Sequence, residues 1–356
     1  MEHELISRAR QTGAPLLDAE TATATFVWKG RTQPILVGDF NDWCSPDAAS
    51  PHGPVYLNEV DSGVWSVTLP FPPDAYIEYA YSLNGKSQPD PLNPQIVSNG
   101  LGDDNSFFYM PQAAPTPLTR RRRTTPHGTV TRHVIDAGDV IVSGKRTVYL
   151  YQPPVREPCP LLTVLDGPEY LHRAKLPVIV DNMIAAGRIR PIALAMVDNS
   201  PVARLIEYAC SDASVSFLVD HIVPFAQAHL NLIDHHYQPG IHGLMGASMG
   251  GAMALYGACR VPEAYGHVLS QSGAFHVLNR DLVVYDLLRH GSVKPVHIWM
   301  DVGRYESLLD CNRRMNQLLT SRGYDATYRE LNSGHNYPAW RDDLWRGLEA
   351  LYGADR

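Results

Sequence analysis

The residues best suited to chemistry form a GxSxG pattern, Gly246-Ala247-Ser248-Met249-Gly250, followed by another glycine at position 251. The short apolar segment 241–244 precedes the pattern and predicts a buried strand. The segment AMALYGA, which begins at residue 252, follows it and predicts a helix. Strand, sharp turn and helix make up a nucleophile elbow, in which a strained serine stands exposed above a sheet. The pattern therefore predicts Ser248 as a catalytic nucleophile.

A serine hydroxyl is a weak nucleophile, so Ser248 requires a histidine base and an acid that orients it, in the chain order Ser, acid, His. The chain has fifteen histidines, and position selects among them. His335 lies in a predicted loop between the strand-like segment 326–331 and the last predicted helix, 337–351. His242 and His267 fall within predicted strands, which favours structural roles for both. We therefore expect His335 to be the base.

Two carboxylates compete for the role of the acid, because the segment MDVGRYE contains both Asp301 and Glu306. Asp301 lies at the end of a predicted strand, whereas Glu306 opens the next predicted helix. A carboxylate that accepts from histidine Nδ1 usually lies on the loop after this strand. This position favours Glu306, with Asp301 as the alternative acid and as a brace for the loop.

An oxyanion hole needs two backbone N–H groups, one of them from the residue after the nucleophile, Met249. The early loop LDGPEY, residues 165–170, is expected to supply the second. Pro168 has no N–H, so the donor is Gly167 or Glu169. The residues alone do not decide between these two.

Composition limits the remaining function classes. The chain has 356 residues, 44% hydrophobic and 19% charged, with a net charge of −7. These values fit a globular protein and give no general field for nucleic acid. The first residues, MEHELISR, are polar and acidic where a signal peptide needs a basic start and an apolar stretch, so we expect a cytoplasmic protein. No apolar run approaches about 20 residues, so we expect no membrane-spanning helix. The five scattered cysteines predict neither disulfides nor a zinc site, and no metal or cofactor is expected.

Four segments follow from the spacing of turn residues and apolar runs. Residues 1–20 are a polar leader, and residues 21–112 show short strands typical of an all-β sandwich. Residues 113–127 form a Pro/Arg linker whose four arginines, 120–123, are expected in solvent or, alternatively, at an anion-binding lip. Residues 128–356 alternate buried strands with helices, which predicts an α/β domain with a mostly parallel sheet.

Residues 130–352 resemble the esterase family that includes feruloyl and acetylxylan esterases, mycolyltransferases and S-formylglutathione hydrolase. The enterochelin esterase branch is the most similar to this chain. The matching segments are LDGPEY, ASMGGAMALYGACRVPEAYGHVLSQSG, DVGRYESLLDCNRRM and SGHNYPAWRDDLW. The resemblance implies an α/β-hydrolase fold and the acid Glu306. It also implies that Arg204 and Glu207 lie near the substrate cleft, unless they form an ordinary salt bridge.

The predicted sandwich at residues 21–112, the front module, resembles the immunoglobulin-like module found in enterochelin esterases and in glycogen-branching enzymes. The matching segments are VGDFNDW at 37–43, GVW at 63–65 and QPDPLNP at 88–94. Trp28, Trp43 and Trp65 are candidates for stacking on sugar rings, or they belong to the core. The module therefore serves either as a carbohydrate-binding domain or as a structural partner.

The resemblance implies a serine esterase that cleaves siderophore-like esters through an acyl-enzyme and so releases iron. A catecholate substrate is anionic and calls for cationic and aromatic neighbours. The candidates are Arg204, Tyr170, Trp340, Arg341 and the arginine linker. The alternatives are a feruloyl or acetyl carbohydrate esterase and, from another class, a non-catalytic polysaccharide-binding protein. The sequence does not indicate an oligomeric state.

Overall fold

The computed structural model describes residues 3–44 and 53–354. Residues 1–2 of the predicted leader, residues 45–52 of the predicted sandwich and residues 355–356 of the predicted α/β domain lie outside the described residues. The chain divides into two compact units. The first comprises Met1–Pro115, Gly303–Ser307 and Glu330–Ala339. The second comprises Thr116–Val302, Leu308–Arg329 and Trp340–Arg356.

The first unit consists mainly of antiparallel strands. A four-stranded sheet has the order β1-β2-β6-β5, and a second sheet has the order β4-β3-β7-β10-β9 with β8 paired to β7. The elements are α1 (Glu4–Thr12), β1 (Leu16–Asp18), β2 (Thr23–Lys29), β3 (Ile35–Gly38), β4 (Val55–Tyr56), β5 (Asn58–Asp61), β6 (Val64–Pro70), β7 (Tyr76–Leu83), β8 (Lys86–Gln88), β9 (Ile96–Ser98) and β10 (Asp104–Tyr109).

An aromatic cluster fills this sandwich. Phe26 on β2 packs edge-on against Tyr79 on β7, with ring centroids 4.9 Å apart. Edge-to-face packing of this kind stabilises a core beyond the burial of area. The leader joins the same unit, because Ile6 and Ala9 on one face of α1 are fully buried in a cluster with Val27. The described part of the predicted leader, residues 3–20, is thus a packed part of the sandwich unit.

The second unit contains an eight-stranded sheet, in the described part of the chain, with the order β11-β12-β14-β13-β15-β16-β19-β20. Pairing is antiparallel from β11 to β14 and parallel from β14 to β19. Its strands are β11 (Thr129–Asp136), β12 (Lys145–Gln152), β13 (Leu161–Leu165), β14 (Ala193–Val197), β15 (His242–Ala247), β16 (Tyr265–Gln271), β19 (His297–Gly303) and β20 (Asp325–Leu331), with a separate hairpin β17 (His276–Val277) and β18 (Arg280–Asp281).

Helices alternate with these strands, as the apolar pattern predicts. They are α2 (Gly167–His172), α3 (Leu176–Ala185), α4 (Arg204–Tyr208), α5 (Asp212–Ser216), α6 (Val223–His229), α7 (Met249–Arg260), α8 (Val284–His290), α9 (Leu309–Arg322) and α10 (Tyr337–Tyr352). The strands β13, β14 and β15 are buried along their whole length. Burial on both faces explains why these strands are continuous apolar runs in the sequence. Among the described residues, no helix combines the length and apolar character that crossing a membrane demands.

The predicted linker 113–127 is held at several points within the second unit. Asn182 on α3 donates to the carbonyl oxygens of Leu118, at 2.6 Å, and Arg120, at 3.1 Å. The backbone N–H of Thr116 donates to Asp342. The arginines at 120–123 are exposed, as predicted. From Thr116 onward the segment is therefore ordered against the second unit, with its arginines in solvent.

The second unit should lose stability as the pH falls. Burial, followed by the positive charges of Arg190 and His297, lowers the pKa of His267 to about 4. Between the unfolded pKa of about 6.5 and this value, the unfolded chain binds a proton that the folded chain does not. We expect His267→Phe, which keeps the stacking on Tyr352, to reduce the stability lost between about pH 7 and pH 5 by about 1–2 kcal/mol. Urea unfolding at both pH values measures this, and equal losses in wild type and variant would contradict it.

Candidate active site

The turn at Ser248, which the sequence predicts to be a nucleophile elbow, connects the central strand β15 to helix α7. Ser248 lies between them with φ 58° and ψ −125°, and its side chain is half-buried. This backbone region is costly for a residue with a side chain and persists only where the surroundings impose it. Here the Ser248 N–H donates to Gln271 O at 2.9 Å, and Ser248 O accepts from Ala274 N at 2.9 Å. These bonds on both sides of Ser248 hold the strained conformation.

The glycines of the pattern allow strand and helix to approach closely. A Cβ atom at Gly246 would lie 2.5 Å from the backbone carbon of Gly250. Such a contact is shorter than any van der Waals separation, so a side chain at position 246 would push α7 away from β15. The predicted elbow geometry is therefore present, and Gly246 is sterically required for it.

His335 and Glu306 are hydrogen-bonded to each other, and both belong to the first compact unit, whereas Ser248 belongs to the second. His335 Nδ1 bonds to Glu306 Oε2, and Glu306 Oε1 accepts from the N–H of Gly303 at 2.5 Å. The Glu306 side chain is 1% exposed and that of His335 is 36% exposed. A buried carboxylate on Nδ1 leaves the lone pair on Nε2, which is the tautomer that a general base needs.

Asp301, the alternative acid, has different partners. It is fully buried within β19, where its Oδ2 accepts from Trp299 Nε1 at 2.8 Å and from Gln271 Nε2 at 3.3 Å. These two partners lie on strands β19 and β16, whereas the sequence predicts that Asp301 braces the loop that follows β19. Glu306 does not open the next helix as predicted, because it precedes the first residue of α9 by three positions. A turn residue can direct its carboxylate towards His335 more freely than a helical one.

The oxyanion candidates begin helices. Met249 is the first residue of α7 and Gly167 is the first residue of α2. The first N–H groups of a helix have no partner within the helix. The N–H of Glu169, in contrast, donates to Asp166 O at 3.0 Å. The geometry of α2 therefore favours Gly167 over Glu169 as a donor.

The predicted pairing of Arg204 with Glu207 is wrong, because each of them pairs with a different residue. Arg204 forms a bidentate ion pair with Asp166, in which Nε lies 2.8 Å from Oδ1 and Nη2 lies 2.6 Å from Oδ2. Glu207 is buried and pairs with Arg146. Asp166 lies beside the elbow, because a Cβ at Gly250 would be 3.2 Å from its Oδ2. Arg204 is thus connected through Asp166 to the turn at Ser248, whereas Glu207 forms a buried ion pair with Arg146.

The aromatic candidates for substrate contact are buried. Tyr170 is fully buried, and its hydroxyl donates to Gln271 Oε1 at 3.0 Å. Trp340 is 3% exposed, and its Nε1 donates to Ser272 Oγ at 2.9 Å. Arg341 forms an ion pair with the neighbouring Asp342. Both rings are thus packed within the second unit and leave little surface for a substrate.

The tryptophans of the front module do not form an open platform. Trp28 is 8% exposed and packs against Tyr81, with ring centroids 5.1 Å apart. Trp65 donates to Gly30 O, and Trp43 donates to Asp39 Oδ1. Stacking on a sugar requires an exposed ring face. Trp28 therefore belongs to the core, Trp65 packs against it and Trp43 is half-buried. These contacts give no support to carbohydrate binding.

One group of potential metal ligands occurs among the described residues, Asp234, His235 and His236. It lies between α6 and β15, and His236 Nδ1 bonds to Asp234 Oδ1 at 2.8 Å. The three residues are consecutive in the chain, and they belong neither to the turn at Ser248 nor to the segment that carries His335.

Two acidic residues beside His335 were not predicted. Asp39 is 3% exposed and accepts from Asn336, the residue after His335, at 3.2 Å. Burial raises the pKa of Asp42 above its ordinary value, and the neighbouring His335 offsets only part of this rise. Both acids lie in VGDFNDW, which marks the module in the sequence but does not indicate a contact with residues almost 300 positions away.

Comparison with known proteins agrees with this architecture. Residues 141–351, more than half of the chain, match the family model described as "Putative esterase". The iron(III) enterobactin esterase of Dickeya dadantii (strain 3937) is 26% identical over 292 residues, which cover 75% of this chain and 65% of that protein. The chain therefore spans less than two thirds of the length of this relative.

Two solved structures show the same fold. Ferric enterobactin esterase from Salmonella typhimurium superposes with a TM-score of 0.77 at 19% identity, covering 92% of this chain and 93% of that one. A ferulic acid esterase from Anaeromyces mucronatus gives a TM-score of 0.58 at 16% identity, covering 68% and 97%. The predicted fold class, a β-sandwich followed by an α/β-hydrolase domain, is confirmed. With more than half of its length matched by the family model, the chain belongs to this esterase family.

Proposed function

We propose that the protein is a serine esterase in which Ser248, His335 and Glu306 form the catalytic triad. The observation that carries the proposal is the strained backbone of Ser248, φ 58° and ψ −125°, at the strand-to-helix turn. A structural serine has no need of this conformation, whereas a nucleophile elbow depends on it. The hydrogen bond between His335 and Glu306 supports the assignment of base and acid.

In this mechanism Ser248 Oγ attacks the ester carbonyl carbon while His335 Nε2 removes its proton. The resulting imidazolium is stabilised by Glu306, whose carboxylate is held by Gly303 N–H. The negative carbonyl oxygen accepts from the N–H groups of Met249 and Gly167. Collapse of the intermediate expels the alcohol, which takes the proton from His335. Water then enters by the same steps and releases the acid from the serine.

The preferred substrate is an ester of an aromatic, anionic acid, as in a catecholate siderophore lactone. Helix α4 and the turn before it support this class. They expose Val202, Leu205 and Ile206 at 80%, 63% and 74%. Arg204, on the same helix, is tied through Asp166 to the neighbourhood of Gly250. Apolar surface and a guanidinium together suit aromatic rings that carry negative charge. The relatives named for enterobactin point to the same class.

A reducing compartment suits the protein, and we place it in the cytoplasm. All five cysteines are free thiols in the structure, and four of them are buried. Disulfides form and persist in oxidising compartments and are rare in the cytosol. Release of iron from an imported siderophore fits that location.

Removing the nucleophile should abolish esterase activity. We expect Ser248→Ala to lower kcat for a small aryl ester by about 10⁴-fold or more, because no other group can form the acyl-enzyme. The matched control is Ser143→Ala, the same substitution at another serine with positive φ, in the exposed turn before β12. Retention of activity by Ser248→Ala, measured by release of the phenol, would refute the triad.

The two candidate acids should behave differently. Glu306→Gln should lower kcat by about 10²–10⁴-fold, because an amide no longer holds the required tautomer of His335. Asp301→Asn removes a carboxylate that contacts Trp299 and Gln271, and we expect it to change kcat less than about tenfold while lowering the melting temperature. Steady-state kinetics with the aryl ester decide between them, and the reverse ranking would make Asp301 the acid.

The substrate class is tested with a ferric tri-catecholate trilactone. Mass spectrometry after incubation should show linear trimers or monomers with wild type and intact lactone with Ser248→Ala. If the lactone survives while an aryl ester is cleaved, the assignment as a serine esterase is retained and the assignment of a siderophore substrate is rejected. Feruloylated or acetylated carbohydrate fragments then become the substrates to test.

A further inference from the structure

The segment that carries His335 is fastened to the β-sandwich by hydrogen bonds on both sides of the histidine. Before it, the N–H of Tyr76 donates to Asn332 O at 3.1 Å, and Asn332 Nδ2 donates to Asp74 Oδ1 at 2.6 Å. After it, Asn336 Nδ2 donates to Asp39 Oδ2 at 3.2 Å. All these residues belong to the first compact unit. The sandwich therefore determines where the His335 segment lies.

Asp39 also contacts the residue immediately before His335. A Cβ atom at Gly334 would lie 2.2 Å from the carboxyl carbon of Asp39. Only a glycine allows this approach, so the backbone on one side of His335 and the side chain of Asn336 on the other both contact one carboxyl group. A displacement of Asp39 would move both neighbours of the histidine.

The carboxyl group of Asp39 is itself fixed by the sandwich. Oδ2 accepts from the N–H of Glu78 on β7 at 2.8 Å, and Oδ1 accepts from Trp43 Nε1 at 3.3 Å. Asp39 follows directly after β3 and is 3% exposed. A side chain with donors on both oxygens and almost no exposure has one available rotamer. Asp39 is therefore a rigid connection between strands β3 and β7 and the His335 loop.

The Glu306 segment is held by the same unit. The N–H of Tyr305 donates to Ser333 O at 3.1 Å, and the N–H of Arg304 donates to Leu331 O at 2.8 Å. The Tyr305 ring packs edge-on against Phe71 in the sandwich core, with centroids 6.3 Å apart. Both partners of the His335–Glu306 bond thus take their positions from the sandwich.

A buried carboxyl group is an energetically unfavourable means of connecting the sandwich to the His335 loop. Burial, followed by the charge of Glu78, raises the pKa of Asp39 well above its ordinary value. A buried carboxylate loses its hydration, and apolar packing would usually be as stable or more stable. What the carboxyl group adds is direction, since its two oxygens accept from Glu78, Trp43 and Asn336 in one geometry. The arrangement therefore gives the His335 loop a defined position at the expense of the folding stability of the sandwich.

We propose that Asp39 is a positioning residue of the sandwich that sets the geometry of the His335–Glu306 pair. The proposal rests on the proposed function in that it takes this pair as the base and acid of the esterase. The proposal gives the front module a role in the reaction, and this role does not require that the module bind a sugar. Asp39 itself exchanges no proton with the substrate.

The test compares Asp39→Asn and Asp39→Ala with Asp90→Asn. Asp90 is a matched control because it is 1% exposed in the same sandwich and accepts from Tyr79 OH and Leu92 N, away from the His335 segment. We expect both Asp39 variants to lower kcat for an aryl ester by about 10- to 100-fold, as small misplacements of catalytic groups do, with KM changed less than about twofold. Asp90→Asn should keep kcat even where its melting temperature falls as much.

A second readout reports the pair directly. The hydrogen-bonded Nδ1–H proton of His335 should give a downfield NMR signal that is absent in His335→Ala. In the Asp39 variants this signal should shift or broaden, and in Asp90→Asn it should not. An unchanged signal together with a kcat loss no greater than that of Asp90→Asn would overturn the proposal. Because this readout needs no turnover, it tests the positioning role even if Ser248→Ala shows that the triad is wrong.

Asn336, which donates a hydrogen bond to Asp39, provides a second test that does not require Asp39→Ala to fold. Asn336→Ala removes the same hydrogen bond from the other side, so the double variant Asp39→Asn/Asn336→Ala should lose no more kcat than the worse single variant. Full multiplication of the two losses would show that Asp39 does not act through Asn336, which would contradict the proposed route to His335.

Discussion

The left-handed backbone of Ser248 is the constraint around which the second unit is organised. A non-glycine residue at φ 58° is unfavourable by about 1–3 kcal/mol and requires surroundings that leave it no alternative. Those surroundings are the buried strand β15, the helix α7 and the carbonyl of Gln271 on the next strand. Each of them is stabilised by the parallel sheet. The apolar core therefore provides the free energy that holds one polar residue in a strained conformation.

The base and acid depend on a different part of the molecule. His335 and Glu306 cluster with the β-sandwich, although both follow strands of the α/β sheet in sequence. The hydrogen bonds from Tyr76 and to Asp39 explain this grouping. A histidine on a loop loses orientation easily, and each hydrogen bond between the loop and a rigid strand reduces that freedom. The sandwich is thus part of the support for the catalytic chemistry we propose and not a separate appendage.

Sequence reasoning succeeded where the signal is local. The elbow around Ser248 is predictable because five consecutive residues determine the turn, and the mostly parallel sheet is predictable because buried strands are continuous apolar runs. It failed where partners are distant. Arg204 and Glu207, three positions apart on one helix, look like a pair, yet their partners lie 38 and 61 positions away. The sequence presents Asp39 only as part of a module motif, because its contact with Asn336 spans 297 positions.

The buried acids of the first unit show how such long-range contacts are tolerated. Each has its own donors: Gly303 N–H and His335 for Glu306, Asn105 and Tyr76 for Glu78, and Glu78 N–H and Asn336 for Asp39. Separate donors let several carboxyl groups lie close together, although burial and mutual repulsion raise the pKa of Asp39. The carboxyl groups of Asp39 and Glu306 act through the hydrogen bonds that they accept from Asn336 and make with His335, which hold both residues in place. The unfavourable burial of these acids and the fixed orientation of the His335 segment are therefore two consequences of one arrangement.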